Sequence, residues 1–511
     1  MTLTTSMSPF IMHDVKRVEI VRSVFTIAVL VVAVSFHIGC KSSPPQNTNS
    51  ASSNANSSSA PPASVRCTEV CPNRVLVAFT ERLSPAEIKR IEAMIEEDMN
   101  KTVDVREVGG LNVLMISAPG LTVQQIQDLF VRKNELVKTQ YIEPDFQLGI
   151  NGAPTDPLFT NQWALNNTGQ SLGVCGGTEP QSQPSPAITG ADIHALEAWG
   201  QLRSDRQTVV AVIDTGVNYN HNDLDGVMWS SPLAFDLTIG GQQVTCSVST
   251  HGFDAITNTC DPMDDGNGHG THVAGIIGAE TNSLGVVGVT PLVSIIAVRA
   301  FGTGGGCSSQ VANGIDFLVQ IKQRPALNAN IVIVNNSYGF MGQVDENCVP
   351  QENCTSRTLR AAVRRAGEHG MLFVASAGND EKDTRCYPVY PASFDLPNII
   401  SVAASDNRDE LGAFSNFGKT SVHLAAPGVQ ICSTVNNANL YGYKNGTSMA
   451  APFVSGSAAL VWSRCGLPTE ALKQVLLDSV DHPMGLQDKT ITGGRLNLAR
   501  AIKICGGQVT E

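Results

Sequence analysis

Apolar residues in the C-terminal two-thirds of the chain fall in short unbroken blocks. Residues 208–213, 294–299, 331–334, 371–375 and 399–403 are five of them. A strand with one wet face alternates apolar and polar positions, whereas a strand covered on both faces reads as a continuous apolar run. Helical segments at 269–279, 309–323 and 356–369 alternate with these blocks. Doubly buried strands separated by helices predict an α/β domain, three layers deep, around a mostly parallel sheet. Its limits are placed at residues 154–507.

Residues 74–150 follow another pattern. Val75-Leu76-Val77-Ala78-Phe79 reads as a strand. Ser84-Pro85-Ala86-Glu87 puts a Ser N-cap, a Pro at the first helical position and a Glu three residues after the Ser, and Ile88, Ile91 and Ile95 follow at helical spacing. Residues 103–108 and 111–117 predict two strands about a Gly109-Gly110 turn. A second helix is expected over 122–132, with Ile126, Leu129 and Phe130 on one face, and a last strand over 137–146. The order βαββαβ is that of a ferredoxin-like α+β unit, which by itself says little about function.

The first forty residues read as an export signal. Lys16, Arg17 and Arg22 precede an apolar run over 24–38, shorter than the about 20 residues of a comfortable membrane span. An uncleaved anchor is the alternative. The run closes on Gly39-Cys40, which resembles a bacterial lipoprotein processing box, although His37 departs from the usual aliphatic residue. On that reading Cys40 carries a lipid anchor. Residues 41–73, rich at first in Ser, Asn and Pro, form a tether that cannot build a core.

Charge and cysteine narrow the function. The net charge is -12 and no dense Lys/Arg block is present, which argues against nucleic acid as a partner. Of the 13 cysteines, ten fall from Cys175 onward. Behind an export signal, an even number reads as disulfides, and zinc spacing is missing. Proximity suggests Cys348–Cys354 and Cys465–Cys505 as pairs.

Three short stretches carry candidate chemistry. Val212-Ile213-Asp214-Thr215-Gly216 ends a buried strand in a carboxylate, where open α/β sheets place their sites, though such an Asp is often only a cap. In Gly268-His269-Gly270-Thr271-His272, His269 suits a general base, while the glycines alone fit a closely packed helix start and the two histidines leave zinc as a rival reading. Asn445-Gly446-Thr447-Ser448-Met449-Ala450-Ala451-Pro452 opens an apolar helix, so Ser448 is either an N-cap or a nucleophile favoured by the helix dipole.

Taken in chain order, Asp-Thr-Gly, Gly-His-Gly-Thr-His-Val-Ala-Gly and Gly-Thr-Ser-Met-Ala-Ala-Pro resemble the subtilisin-like serine proteases. The resemblance implies a serine endopeptidase acting on protein or peptide substrates, with Asp214, His269 and Ser448 as triad and Asn379, in Ala375-Ser376-Ala377-Gly378-Asn379, as oxyanion donor. It implies that Ser337, Tyr338 and Gly339 pair with an extended substrate and that Gly304, Gly305 and Gly306 form the facing strand. Ala375, Ala377 and Gly378 suggest an open, apolar primary pocket. Residues 74–150 resemble the family's inhibitory propeptide, whose last strand occupies the cleft before self-cleavage after about residue 149. Structural calcium is implied on Asp156, Asp223, Glu280, Asn282, Leu284 and Val286, through carboxylate, amide and carbonyl oxygens. Asp261, Asp264 and Asp265 read as a solvated acidic loop, with a second bound ion as the alternative. No organic cofactor is expected, and the mature enzyme is expected to be a secreted or surface-anchored monomer. The rival functions are a catalytically silent binding protein of the same fold, a structural surface lipoprotein and, more seriously, a family peptidase of narrow, processing-type specificity.

Overall fold

The computed structural model describes residues 70–508, except 109–111, 119–120, 134–137, 147–153, 182–185, 201–207, 265, 291–292 and 352–353. The export signal, Cys40, most of the tether, the Gly109-Gly110 turn, the processing segment and Asp265 lie outside the described residues.

The N-terminal unit runs β1 (Val70–Phe79), α1 (Pro85–Met99), β2 (Asp104–Val108), β3 (Val113–Ser117), α2 (Val123–Arg132), β4 (Thr139–Phe146). Both helices begin with reciprocal caps, Ser84 with Glu87 and Thr122 with Gln125. The strands form an antiparallel sheet in the order β2-β3-β1-β4. The core joins Val75, Val77 and Ile116 of the sheet to Ile91, Ile95, Ile126, Leu129 and Phe130 of the helices.

The C-terminal unit continues with α3 (Ala195–Trp199), β5 (Thr208–Asp214), β6 (Phe235–Ile239), β7 (Gln242–Cys246), β8 (Gly252–Asp254), α4 (His269–Gly278), β9 (Val293–Arg299) and α5 (Ser308–Lys322). Next come β10 (Ile331–Asn336), β11 (Phe340–Met341), α6 (Arg357–Glu368), β12 (Leu372–Ser376), β13 (Val389–Tyr390) and β14 (Ile399–Ser405). The remainder is β15 (Leu424–Pro427), β16 (Ile431–Thr434), β17 (Tyr441–Lys444), α7 (Thr447–Cys465), α8 (Thr469–Asp478) and α9 (Leu498–Gln508).

Seven strands, β15-β14-β12-β10-β5-β9-β8, form one sheet whose pairings are all parallel. The two faces of β5 show why its sequence is apolar throughout. Val209, Ala211 and Ile213 pack in one core with Val311 and Ile315 of α5 and Leu359 and Val363 of α6. Val210 and Val212 face the other core, with Val273 and Ile277 of α4 and Val454 and Val461 of α7. Helix α7 is apolar nearly all round because it is buried nearly all round.

Four disulfides cross this unit: Cys175–Cys432, Cys246–Cys260, Cys348–Cys386 and Cys465–Cys505. The expected Cys465–Cys505 pair is present. The expected Cys348–Cys354 pair is not, because β11 and β13 pair antiparallel and bring Cys348 to Cys386.

Candidate active site

Asp214 ends the fully buried strand β5 and is 2% exposed. Its Oδ1 accepts from the Thr215 backbone N–H at 2.8 Å and lies 2.7 Å from His269 Nδ1. Its Oδ2 is buried without a hydrogen-bond partner. The carboxylate can only accept, so His269 Nδ1 is the donor and the neutral ring presents Nε2 as an acceptor. Burial pulls the His269 pKa down, but the charge and hydrogen bond of Asp214 outweigh it, and the ring titrates above its ordinary value.

The approach of α4 to the end of β5 needs Gly270. A Cβ there would lie 2.2 Å from the Gly216 carbonyl oxygen and 2.9 Å from Asp214 Cβ. The Gly270 N–H donates to Thr215 Oγ1. Asp264 ties the loop before His269: its Oδ1 accepts from the Gly266 and Gly268 N–H groups, each at 3.1 Å, and its Oδ2 from Thr271 Oγ1 at 2.5 Å. Asp264 is therefore a buried clamp on the imidazole's loop and not a solvated acid. Asp261 accepts from the Tyr219 hydroxyl at 2.9 Å. His272 is turned away from His269. Its Nε2 lies 3.0 Å and 3.1 Å from the Ile431 and Gly442 carbonyls, and burial drives its pKa down to about 3.

Ser448 is the second residue of α7. Its hydroxyl donates to the Ser337 carbonyl at 3.0 Å. The Ser337 hydroxyl donates in turn to the Ser448 carbonyl at 2.7 Å, binding the end of β10 to the first turn of α7.

Asn379 is oriented by Thr447. The Thr447 backbone N–H, which can only donate, lies 2.9 Å from Asn379 Oδ1, and Thr447 Oγ1 donates to the same oxygen at 2.9 Å. The amide oxygen is thereby fixed and Nδ2 faces the other way. Gly446, at φ +151°, marks the space in front of that nitrogen. A Cβ on it would lie 3.5 Å from the Ser448 backbone nitrogen and 3.6 Å from Asn379 Nδ2. Both nitrogens thus lie close to one small region beside Ser448, as an oxyanion site needs.

The substrate side departs from expectation in two places. Gly304 and Gly305 lie in a tight turn closed by reciprocal Gly302 and Gly305 backbone bonds, not in a strand. Cβ atoms on Gly304 or Gly305 would meet open space, whereas one on Gly306 would strike the Ala300 carbonyl at 2.3 Å. The residues expected to line an open primary pocket are instead buried or closely packed. Ala375 and Ala377 are fully buried, and Ala377 packs with Ala403, Val422 and Leu486. Val389 fills the space between Gly339 and Gly378: Cβ atoms there would lie 2.5 Å and 3.0 Å from its methyls. The Tyr338 ring packs on Phe301 at 4.6 Å, and its hydroxyl donates to Asn336 Oδ1.

At the expected calcium residues, Asp156 Oδ1 accepts from the Asn282 and Ser283 N–H groups and Asp223 Oδ2 from the Val286 N–H. The other oxygen of each, Asp156 Oδ2 and Asp223 Oδ1, is buried without a partner. Burial, with the Asp156 carboxylate adding to it, pushes the Asp223 pKa up to about 7. Two orphaned carboxylate oxygens beside a loop rich in amide and carbonyl oxygens fit a hard cation. Asn282 Oδ1 closes a turn onto the Leu284 N–H. Glu280 is committed elsewhere, to the Gly226 N–H at 2.7 Å. Among the described residues, no three His, Cys, Asp or Glu side chains converge on one point, so a cation here would also need amide or carbonyl oxygens.

Sequence reasoning passed over Thr447 and Val389 and gave Asp264 no structural role. Thr447 and Asp264 stand within the quoted motifs or beside them, but their roles depend on partners brought in by the fold.

The Subtilase family model of peptidases (peptidase S8) matches residues 205–497. A thermophilic serine proteinase of Bacillus sp. (strain AK1) is 32% identical over 431 residues, covering 84% of this chain and 86% of that protein. The major intracellular serine protease of Bacillus subtilis (strain 168) is 35% identical over 275 residues, 53% of this chain and 73% of the relative. Among solved structures, one described as proteases from Pseudoalteromonas arctica has a TM-score of 0.53 at 24% identity, covering 69% of this chain and 100% of the other, which speaks to the fold alone. The family match contains Asp214, His269, Asn379 and Ser448, and the chain belongs to the subtilase family of serine peptidases.

Proposed function

We propose that this subtilase is an extracytoplasmic endopeptidase made as a self-processing zymogen, with Asp214, His269 and Ser448 as its triad. The observation that carries the reading is the 2.7 Å Asp214–His269 pair at the end of β5, with Ser448 opening α7 and two donor nitrogens close to one region beside it. His269 Nε2 takes the Ser448 proton as the hydroxyl attacks the scissile carbonyl, and Asp214 stabilises the imidazolium that forms. Asn379 Nδ2 and the Ser448 N–H hold the oxyanion. His269 then protonates the leaving amine, and water releases the acyl group.

Substrate pairs in extended form with Ser337–Gly339. The 74–150 unit serves as inhibitor until the chain cuts itself nearby. Four disulfides support an oxidising compartment, and Cys40 supplies the candidate lipid anchor. The test is to treat purified protein at pH 8 with a fluorophosphonate and map the adduct. Casein hydrolysis that stops as the reagent bonds to Ser448 is expected; hydrolysis that continues, or an adduct elsewhere, rejects the triad.

Asp156 and Asp223 are the residues proposed to hold calcium, with oxygens of 282–286. Calcium would supply charge compensation and no chemistry. Without it, the raised Asp223 pKa means the folded state binds a proton more tightly than the unfolded state, so stability falls as pH rises from about 4 to about 7. Calcium replaces that proton, so its benefit should grow across the same window. Thermal melts with calcium against a chelator are expected to differ by on the order of 5 °C at pH 8 and by less at pH 5. Equal melts at pH 8, or an undiminished calcium response in Asp223→Asn, would remove this site.

A further inference from the structure

We infer that Asn416 is a positioning residue for catalysis, acting through the oxyanion donor Asn379; the inference rests on the proposed triad mechanism. Asn379 sits in a loop, after β12, that must keep its amide fixed through each turnover. Thr447 holds the side chain from one side. The backbone of the loop is held from the other side, largely by Asn416.

Asn416 is fully buried. Its Oδ1 accepts from the backbone N–H groups of Asp380 and Lys382, both at 2.9 Å. Its Nδ2 donates to the Ala377 carbonyl at 3.0 Å and to Asp380 Oδ2 at 3.4 Å, and its own backbone N–H donates to the Gly378 carbonyl at 2.9 Å. These contacts reach positions 377, 378, 380 and 382, on both sides of Asn379. The acceptors and donors require an amide in this orientation, since two backbone N–H groups demand an oxygen and a carbonyl demands a donor. Flanking residues extend the grip, with Glu381 N–H on the Phe414 carbonyl and Phe417 N–H on the Lys382 carbonyl. Gly378, at φ +103°, is needed for the same contact: a Cβ there would lie 2.3 Å from Asn416 Nδ2.

An oxyanion donor acts only if it is in place before charge develops, and a displacement of about 1 Å in such a group costs about 100-fold in rate. Loosening Asn416 should therefore lower kcat and leave KM nearly unchanged, since ground-state binding uses Ser337–Gly339 and not Asn379.

The experiment is a cycle of wild type, Asn416→Ala, Asn379→Ala and the double variant, each normalised by active-site titration. Asn416→Ala alone should lower kcat about 10- to 100-fold, below the about 100- to 1,000-fold expected for Asn379→Ala. In the Asn379→Ala background the same change should cost less than about 3-fold, because the donor it positions is already gone. A peptide boronate, which places an oxygen in the oxyanion region, should lose affinity in Asn416→Ala in step with kcat, while a product-like peptide should not. Asn416→Ser, a milder change at the same site, should show a smaller loss of the same kind if the alanine variant does not fold. Equal losses in both backgrounds, or losses confined to KM, would assign Asn416 to general structure and overturn the inference alone. An inert wild type would overturn the functional reading and this inference with it.

Discussion

Replacing Ser448 with alanine is expected to lower kcat about a million-fold and to leave the precursor at full length. The magnitude is the one found in subtilisin itself when the nucleophile is removed, not one derived from this geometry. The structure says why the loss should be chemical and not a failure to fold. The Ser448 hydroxyl makes one hydrogen bond, to the Ser337 carbonyl, and a single such bond contributes about 1 kcal/mol. The bond that fastens α7 to β10 uses the Ser448 backbone carbonyl and the Ser337 hydroxyl, both kept in the variant. The melting temperature should therefore change little. Intact mass and casein hydrolysis, followed together on purified wild type and variant, decide the matter. Loss of residues before about 150 in wild type only, with hydrolysis in wild type only, is the expected pair of results. Processing that persists in pure variant would reject self-cleavage, and hydrolysis that persists would reject Ser448 as nucleophile.

What the sequence disclosed here was local. The strands show as unbroken apolar blocks because both faces of β5 are covered, and Ser84 with Glu87 announces α1 because both halves of the cap lie within four residues. Asp214, His269 and Ser448 were legible because each sits in a short stretch of fixed local geometry: the end of a strand or the start of a helix. What remained hidden depends on partners distant in the chain. Asn416 meets Asp380 across 36 positions, and Thr447 meets Asn379 across 68. Cys348 finds Cys386 because β11, before the first, pairs with β13, after the second. The packing of Val389 against both glycines is of the same kind, since Gly339 and Gly378 reveal nothing of what stands between them. Glu280 enters the calcium set through its stretch's resemblance to the family loop, while its carboxylate accepts from the Gly226 N–H. The resemblance implies a strand at Gly304–Gly306 and glycine allows either form, but the reciprocal bonds of Gly302 and Gly305 make it a turn.

Replacing Asp214 with alanine is expected to lower kcat about 10,000-fold and to move the acid limb of the residual activity to lower pH. Two losses combine. His269 Nδ1 loses the acceptor that fixes its proton there, so the tautomer with a free Nε2 is no longer favoured. The imidazolium formed during attack loses the adjacent negative charge. The pH shift follows from the sign of the His269 perturbation. Burial lowers its pKa, Asp214 raises it by charge and hydrogen bond, and the net position is above the ordinary value. A base must be neutral to work, so wild-type activity is lost as pH falls through that raised pKa. Removing Asp214 leaves burial unopposed by its largest counterweight, and the ring stays neutral to lower pH. An asparagine variant separates the two losses. The Thr215 N–H can only donate, so the amide oxygen should remain at the Oδ1 position and still accept from His269, while the NH2 group takes the buried position where Oδ2 has no partner. Asp214→Asn should therefore show a smaller shift in the same direction than Asp214→Ala and retain more of kcat. The kcat/KM profile from pH 5 to pH 9, measured on titrated enzyme, checks both effects. An acid limb that stays in place in Asp214→Ala would mean that the limb belongs to a group other than His269, and an alanine loss below about 10-fold would remove Asp214 from the triad.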